Sequence, residues 1–460
     1  MNSIVFPSDF RFGVADADLQ VIGEDNTIRE EGSEKTMWYN FAQHSGKVHD
    51  HATPGIGIDR YHRWRQDIEI MKAMGAKHYR TSVSMSRTLF RNGQVNAKAI
   101  AWYTNYFKAL KRAGIAIYVT LYHWELPLYL HEQGGWTNKK TTDVFVKHAR
   151  TVAQNLGEYI EEYFILNEPW CSAMLSYHLG IHAPGETNLT HALLAAHNLL
   201  LAQGAAYTTL RSVNKSIKIS TVVNTQPSYA ASTTKEDREA AQYADEYFNR
   251  WFTDPLYIGK YPEHLAALYG RHMPKYTQAD MKQIQVGPSL YTLGVNYYRG
   301  DVVAYNPKID RRYASVVNPK GPTNDLGWPI YIPPYYSEGL YDMLQQLYYS
   351  YKDHGLKRMY ITENGMALRS DWDGKRDLVH DDRRTQYYHE HIRQIHKAIR
   401  RGIPVEGYFA WSLMDNYEWA EGYRPESCFG MIYVDRKTMK RVWKTSAWWY
   451  KQVIATHKIP

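Results

Sequence analysis

Short apolar runs alternate with stretches whose apolar positions recur every three or four residues, and the alternation repeats about eight times along the chain. The runs at 10–15, 77–84, 116–122, 163–166, 217–223, 291–296, 358–362 and 405–413 predict strands. The periodic stretches at 60–74, 97–112, 141–156, 190–213, 238–252, 279–284, 337–351, 383–401 and 442–454 predict helices. Gly75, Gly114 and Gly157 stand where three of these helices end. Two stretches break the rhythm. Residues 21–59 read as a long polar loop carrying His44, His49 and His51, and residues 300–334 form the longest irregular segment, rich in Pro, Asn and Tyr.

Strands alternating with helices predict βα units around a parallel sheet. No Gly/Ser linker or composition shift divides the 460 residues, so residues 1–460 are expected to form one domain, a single (β/α)8 TIM barrel with long βα loops. Element order alone also fits a doubly wound open sheet. The G-x-G-x-x-G and Walker A patterns that such sheets use for nucleotides are missing.

Composition changes the picture in two ways. Hydrophobic residues make up 44%, enough for a large core, but 39 Tyr and 14 Trp exceed what packing requires. Such flat amphipathic rings suit a cleft for sugars, whose CH faces stack on aromatic planes. Net charge is 55 − 47 = +8, but the basic residues are interspersed with acids. Lys397, Arg400 and Arg401 read as a helix C-terminus beside Gly402 rather than a nucleic-acid stripe, so no nucleic-acid partner is expected. No apolar run is long enough to cross a membrane, and the early Asp9, Asp16 and Asp18 do not fit a signal peptide. Cys171 and Cys428 are too few for a disulfide framework and are expected as free thiols. Together these features point to a cytoplasmic protein; they leave the oligomeric state open.

The chemistry gathers at strand ends. Tyr163-Phe-Ile-Leu-Asn-Glu-Pro-Trp170 runs an apolar strand into Asn167 and Glu168, and Pro169 stops it. Met359-Tyr-Ile-Thr-Glu-Asn-Gly365 repeats the device with Glu363. In a barrel all such ends meet on one face. The remaining ends bring Gln20, Arg80, His123 with Trp124, Asn296 with Tyr298, and Trp411 with Glu418 and Trp419. Two acids, hydroxyl binders and indole plates are what glycosidic cleavage needs, one carboxyl protonating the leaving oxygen while the other meets the anomeric carbon. Against this stands the plain reading of strand-end acids as ion-pair partners or helix caps. His44, His49 and His51 lack tight metal-ligand spacing, so no metal is expected there.

These residues carry a resemblance. The chain is similar to glycoside hydrolase family 1, the β-glucosidase family, through Phe6-Pro-Ser-Asp-Phe10 with Phe12-Gly13, Tyr122-His-Trp-Glu-Leu-Pro127, Asn167-Glu-Pro-Trp170 and His182-Ala-Pro-Gly185. It continues through Gly294-Val-Asn-Tyr-Tyr298, Ile361-Thr-Glu-Asn-Gly365, Trp411-Ser-Leu-Met-Asp-Asn-Tyr-Glu-Trp419 and Tyr433-Val-Asp435. The resemblance implies a retaining β-glycosidase acting on terminal β-D-glucosyl residues of small glycosides, with galactosyl and fucosyl substrates left open. Glu168 resembles the general acid/base and Glu363 the nucleophile, with carboxyls ~5–5.5 Å apart. Arg80 and Tyr298 would hold Glu363 ionised, and the charge of Glu363 would raise the pKa of Glu168.

By the same resemblance Asn167 would bind the sugar's 2-hydroxyl. Gln20, His123, Asn296, Trp411, Glu418 and Trp419 would bind the rest of the glycone, and Trp328 would plate the aglycone. The scheme has no cofactor. Glu418 points to a free rather than a 6-phosphorylated sugar, and Glu168 separates the chain from thioglucosidases. Three positions depart from the family pattern: Ile22 in Gln20-Val-Ile-Gly23, Met85 in Ser82-Val-Ser-Met-Ser86, and Cys428 in the longer Gly422–Gly430 segment. The competing readings are a non-catalytic sugar-binding protein of the same fold and a transglycosidase.

Overall fold

The computed structural model describes residues 4–316, 323–327 and 337–459. Eight parallel strands close into a barrel: β1 (Arg11–Ala15), β2 (His78–Ser82), β3 (Ala116–Tyr122), β4 (Ile160–Asn167), β5 (Ile219–Thr225), β6 (Leu293–Tyr297), β7 (Met359–Asn364) and β8 (Val405–Trp411). Each pairs with its neighbour in chain order, and β8 returns to β1 with Tyr408 opposite Phe12 and Ala410 opposite Val14. The open-sheet alternative is thereby excluded.

Side chains alternate across each strand, as the pleat requires. Along β4, Tyr163 and Ile165 face the helices while Phe164 points inward; along β8, Tyr408 and Ala410 face out while Phe409 and Trp411 point in. Tyr118, Phe164 and Phe409 fill the barrel centre, with the Tyr118 ring 5.0 Å from that of Phe409 and 6.4 Å from that of Phe164. Gly13 makes room for this: a Cβ there would lie 2.6 Å from the Phe409 ring. The interior is packed, so a ligand has access only to its C-terminal mouth.

Helices cover the outside, among them α1 (Arg60–Met74), α2 (Ala97–Arg112), α3 (Lys140–Leu156), α4 (Leu189–Val213), α6 (Glu338–Tyr351), α7 (Asp382–Arg400) and α8 (Thr445–Thr456), while α5 (Lys235–Asp245) packs on a small sheet of Ser228–Ala230, Asp301–Tyr305 and Tyr313–Ser315. The first two match the periodicity to the residue. The segment expected as one helix over 238–252 is α5, a π-turn at Glu246–Arg250 and a further helix at Trp251–Tyr257.

Other departures have physical causes. The supposed polar loop after β1 contains three helices, Asp18–Ile22, Glu24–Glu31 and Met37–His44. Glu24–Glu31 buries a polar face, Glu24, Asn26, Thr27 and Glu31, where hydrogen bonds and ion pairs replace the apolar stripe that periodicity detects. Arg87 reaches Glu31 at 2.7 Å and, in the preceding helix, Asp18 at 3.0 Å, and Glu24 accepts from the Thr36 backbone at 2.7 Å and its hydroxyl at 2.8 Å. Met37–His44 does bury an apolar stripe, Met37, Trp38, Phe41 and Ala42, but it is only eight residues long. The helix expected over 442–454 begins later, because Arg441–Lys444 is a strand between Ile432–Val434 and Leu378–Val379. The irregular segment holds strands at Asp301–Tyr305 and Tyr313–Ser315. Trp328 lies outside the described residues. Among the described residues no helix is long and apolar enough to cross a membrane.

Candidate active site

The C-terminal ends of β3 to β8 surround a cavity of about 480 Å³, with Glu168 and Glu363 both in its lining. Glu168 follows the last residue of β4 with φ 46°, a left-handed conformation that non-glycine residues adopt at a cost. Trp124 (φ 77°) and Trp419 (φ 50°), also in the lining, share it. Such backbone outliers cluster where the surrounding fold over-determines a functional geometry.

Glu363 sits near the end of β7 and is held from both sides. Arg80 Nη1 donates to its Oε1 at 2.6 Å and the Tyr298 hydroxyl to its Oε2 at 2.7 Å. A buried guanidinium and a phenol both favour the charged carboxylate. Glu168 is set differently. Its Oε1 accepts from Asn296 Nδ2 at 2.6 Å and its Oε2 from Cys171 Sγ at 3.0 Å, and among the described residues no cation pairs with it. Burial pushes its pKa up to about 8, and the Glu363 charge adds to the rise. The expected cause, Glu363's charge, is therefore real but ranks second to desolvation. Glu168 is a protonated acid at neutral pH.

The remaining residues form one network. Arg80 Nη2 donates to Asn167 Oδ1 at 2.6 Å, and Asn296 Nδ2 reaches the same oxygen at 3.2 Å. Those donors orient the Asn167 amide, so its Nδ2 donates to His123 Nε2 at 3.1 Å. His123 is neutral, its pKa pushed well down by burial and then by the Arg80 charge. With Nε2 accepting, Nδ1 carries the proton. That Nδ1 is buried with no partner among the described residues, a donor left for a ligand. The His123 ring lies nearly parallel to Trp411 and Trp419, 5.8 and 6.1 Å away at 18° and 11°. Trp124 packs on Trp419 at 4.7 Å and donates from Nε1 to Asn167 O at 3.0 Å.

Glu418 lines the cavity, half-buried, and burial followed by the charges of Glu363, Glu421 and Glu168 raises its pKa well above the ordinary range. Gln20, Arg80 and Asn167 are not in the lining. Gln20 differs from expectation in position: it sits in the helix Asp18–Ile22, with Nε2 already donating to Tyr417 O at 2.7 Å and Asn416 Oδ1 at 3.2 Å. Its Oε1 is buried without a partner among the described residues. Asn296 and Tyr298 line the cavity.

Of the three departures from the family pattern, Ile22 and Met85 are buried core residues. Cys428 is a free thiol, as is Cys171. Phe429 beside Cys428 lines the cavity, its ring 5.9 Å from Tyr298. Among the described residues no group of three His, Cys, Asp or Glu side chains is placed to hold a metal. The sequence reading missed Cys171 as a partner of Glu168, and it missed Asn224, Gln226 and Arg299 in the lining. Asn224 and Gln226 follow the β5 strand pattern directly, and Arg299 follows Tyr298, so proximity to strand ends was the available signal.

The sequence profile of the family described as "Glycosyl hydrolase family 1" matches residues 2–459. The chain belongs to glycosyl hydrolase family 1. It is 37% identical to a β-glucosidase A of Thermotoga maritima over 456 residues, covering 99% of this chain and 98% of the relative. It is 36% identical to a 1,4-β-D-glucan glucohydrolase of Thermotoga neapolitana over 451 residues, 98% of each. A solved Thermotoga maritima family 1 glycoside hydrolase, complexed with a cyclophellitol analogue transition state mimic, superposes with a TM-score of 0.93 at 36% identity, covering 100% of both chains. This family 1 member shares the closed (β/α)8 architecture with that relative from end to end.

Proposed function

We propose that this family 1 glycosyl hydrolase is a retaining β-glucosidase that removes terminal β-D-glucosyl residues from small glycosides, with Glu363 as nucleophile and Glu168 as acid/base. The observation that carries the reading is the opposed setting of the two carboxyls: Glu363 held by Arg80 and Tyr298, Glu168 kept protonated with its pKa at about 8. The printed names of the relatives, β-glucosidase and β-glucan glucohydrolase, support the glycone.

In the first step a Glu363 oxygen bonds to the anomeric carbon as the bond to the aglycone oxygen breaks, and Glu168 gives that oxygen its proton. In the second, water attacks the same carbon, its proton passes to Glu168, and the ester to Glu363 breaks. Forming the ester consumes the Glu363 charge, so one cause of the raised Glu168 pKa disappears and Glu168, having given its proton to the leaving oxygen, stays a carboxylate that acts as base. Burial persists, so the fall is partial. His123 Nδ1 and Glu418 supply hydroxyl contacts, and Trp411 and Trp419 supply apolar faces.

Incubation with p-nitrophenyl β-glucoside tests this. Phenol release is expected, Glu363→Ala should abolish it, and azide should restore turnover with inverted configuration. Absence of release at every pH from about 4 to 9 would favour the non-catalytic binder. Full activity in the Glu363 variant would remove the nucleophile assignment.

A further inference from the structure

The cavity has two unlike halves. On one side β3 and β8 contribute His123, Trp411, Glu418 and Trp419, the hydroxyl-binding and stacking groups. On the other, three consecutive strands contribute a different set. Trp170 lies just past β4, Asn224 and Gln226 at the end of β5, and Arg299 just past β6. Trp170 and Phe248 form an aromatic corner, ring centroids 4.3 Å apart, and Leu175 continues the apolar wall. If the scissile bond lies between Glu168 and Glu363, this second half receives the leaving group.

Two polar groups in that half have no partner. The half-buried Arg299 guanidinium makes no hydrogen bond or ion pair with any described residue, although its five donors are matched to a carboxylate. The acid whose charge acts on it is Asp301, whose Oδ2 already accepts from Gln226 Nε2 at 3.2 Å and Ser315 Oγ at 2.6 Å. Asn224 is 7% exposed, lines the cavity, and its amide makes no side-chain hydrogen bond among the described residues. Gln226 is fixed beside them by its backbone pair with the Asn249 side chain at 3.0 and 2.9 Å.

The electrostatics agree. Burial lowers the Arg299 pKa, and the charges that act on it are those of Asp301 and Tyr297, not of Glu168, Glu363, Glu418 or Glu421. The acids of the cavity are not bonded to it, and Glu421 is occupied by Arg424 at 2.8 Å. A cation held in a partly desolvated wall without a bonded anion is a costly arrangement that an anionic ligand relieves.

We infer that Arg299 and Asn224 form an anion-recognition point in the leaving-group half, selecting β-glucosides whose aromatic aglycone carries a carboxylate away from the scissile oxygen. The aromatic ring packs in the Trp170–Phe248 corner, and the carboxylate takes a fork of N–H donors from Arg299 with the Asn224 amide as a further donor. This rests on the β-glucosidase reading and adds the substrate class.

The test compares the β-glucosides of 4-hydroxyphenylacetic acid and of its amide, since the methylene insulates the phenol and keeps the two leaving groups alike. With p-nitrophenyl β-glucoside as neutral reference, kcat/KM is measured for wild type, Arg299→Gln, Arg299→Lys and Asn224→Ala. Arg299→Gln should lower the acid-to-amide ratio about tenfold or more, chiefly through KM, with Arg299→Lys intermediate, as befits a charged hydrogen bond. A smaller fall is expected in Asn224→Ala. A ratio within about twofold of wild type in Arg299→Gln, with the neutral reference still hydrolysed by wild type, overturns this inference alone. Wild type inert on all three glucosides overturns it together with the β-glucosidase reading.

Discussion

Glu168 behaves as it does because of what surrounds one side chain. Its neutral form dominates below about pH 8, and the acid step needs that form, so kcat/KM should fall as pH rises through about 8. A pH profile of kcat/KM for an aryl β-glucoside checks this; an alkaline limb in the ordinary carboxylate range would contradict it. Cys171 supplies a finer test. Its thiol donates to Glu168 Oε2 and lowers the acid's pKa by favouring the charged form. Cys171→Ala should therefore move the alkaline limb upward, and Cys171→Ser, which keeps a donor, should bring it back. An unmoved limb in Cys171→Ala would assign the thiol to packing alone. Glu168 and Glu363 were legible because each ends an apolar strand at a breaker. Cys171, Asn224 and Arg299 were not, because their roles arise from which strands are neighbours around the barrel, and no local pattern encodes that.

At the scale of elements, the site depends on how closely β7 and β8 approach beyond their ends. A Cβ on Gly365 would lie 1.8 Å from the Trp411 carbonyl oxygen, backbone that has no room to give. Gly365→Ala should push apart the segments that carry Glu363 and Trp411 and reduce kcat/KM by about 100-fold or more, the cost of a misplacement near 1 Å. Steady-state kinetics on the folded variant reads this, and wild-type kinetics would show that the contact is tolerant. The eight barrel strands announced themselves as apolar runs because both faces are covered. Helices packed on an apolar face were equally plain, α1 and α2 to the residue. The helix Glu24–Glu31 escaped because its buried face is polar and is satisfied by Arg87 and Thr36 rather than by apolar contact, and its neighbours Asp18–Ile22 and Met37–His44 escaped because they are short. The Arg441–Lys444 strand escaped because its first residue, a buried arginine paired with Asp67 at 3.0 Å, reads as surface polarity in a one-dimensional pattern.

Across the whole molecule, buried ion pairs tie the mouth to the wall. Arg60 on α1 meets Asp16 past β1 at 3.1 Å and Asp67 at 2.5 Å, and Asp67 passes the link to Arg441 in the small sheet near the C-terminus. These charges are compensated, whereas Glu168 has no ion-pair partner among the described residues. The Glu168 pKa in the fold, about 8, lies above its ordinary value of 4.5, so the unfolded chain releases the proton first as pH rises. Stability from this group is fully present below about pH 4.5 and is lost as pH climbs through about 8. Glu168→Gln, inactive in acid catalysis, should melt above wild type at pH 9 and show a smaller difference at pH 5, by calorimetry; the reverse order would contradict the desolvated setting of Glu168. The same carboxyl also makes the cavity a proton-coupled receptor. An amine of sugar size that enters protonated draws the Glu168 pKa down and, near neutrality, drives a proton into the solvent. The binding heat then varies with the ionisation enthalpy of the buffer, whereas a neutral sugar leaves it unchanged.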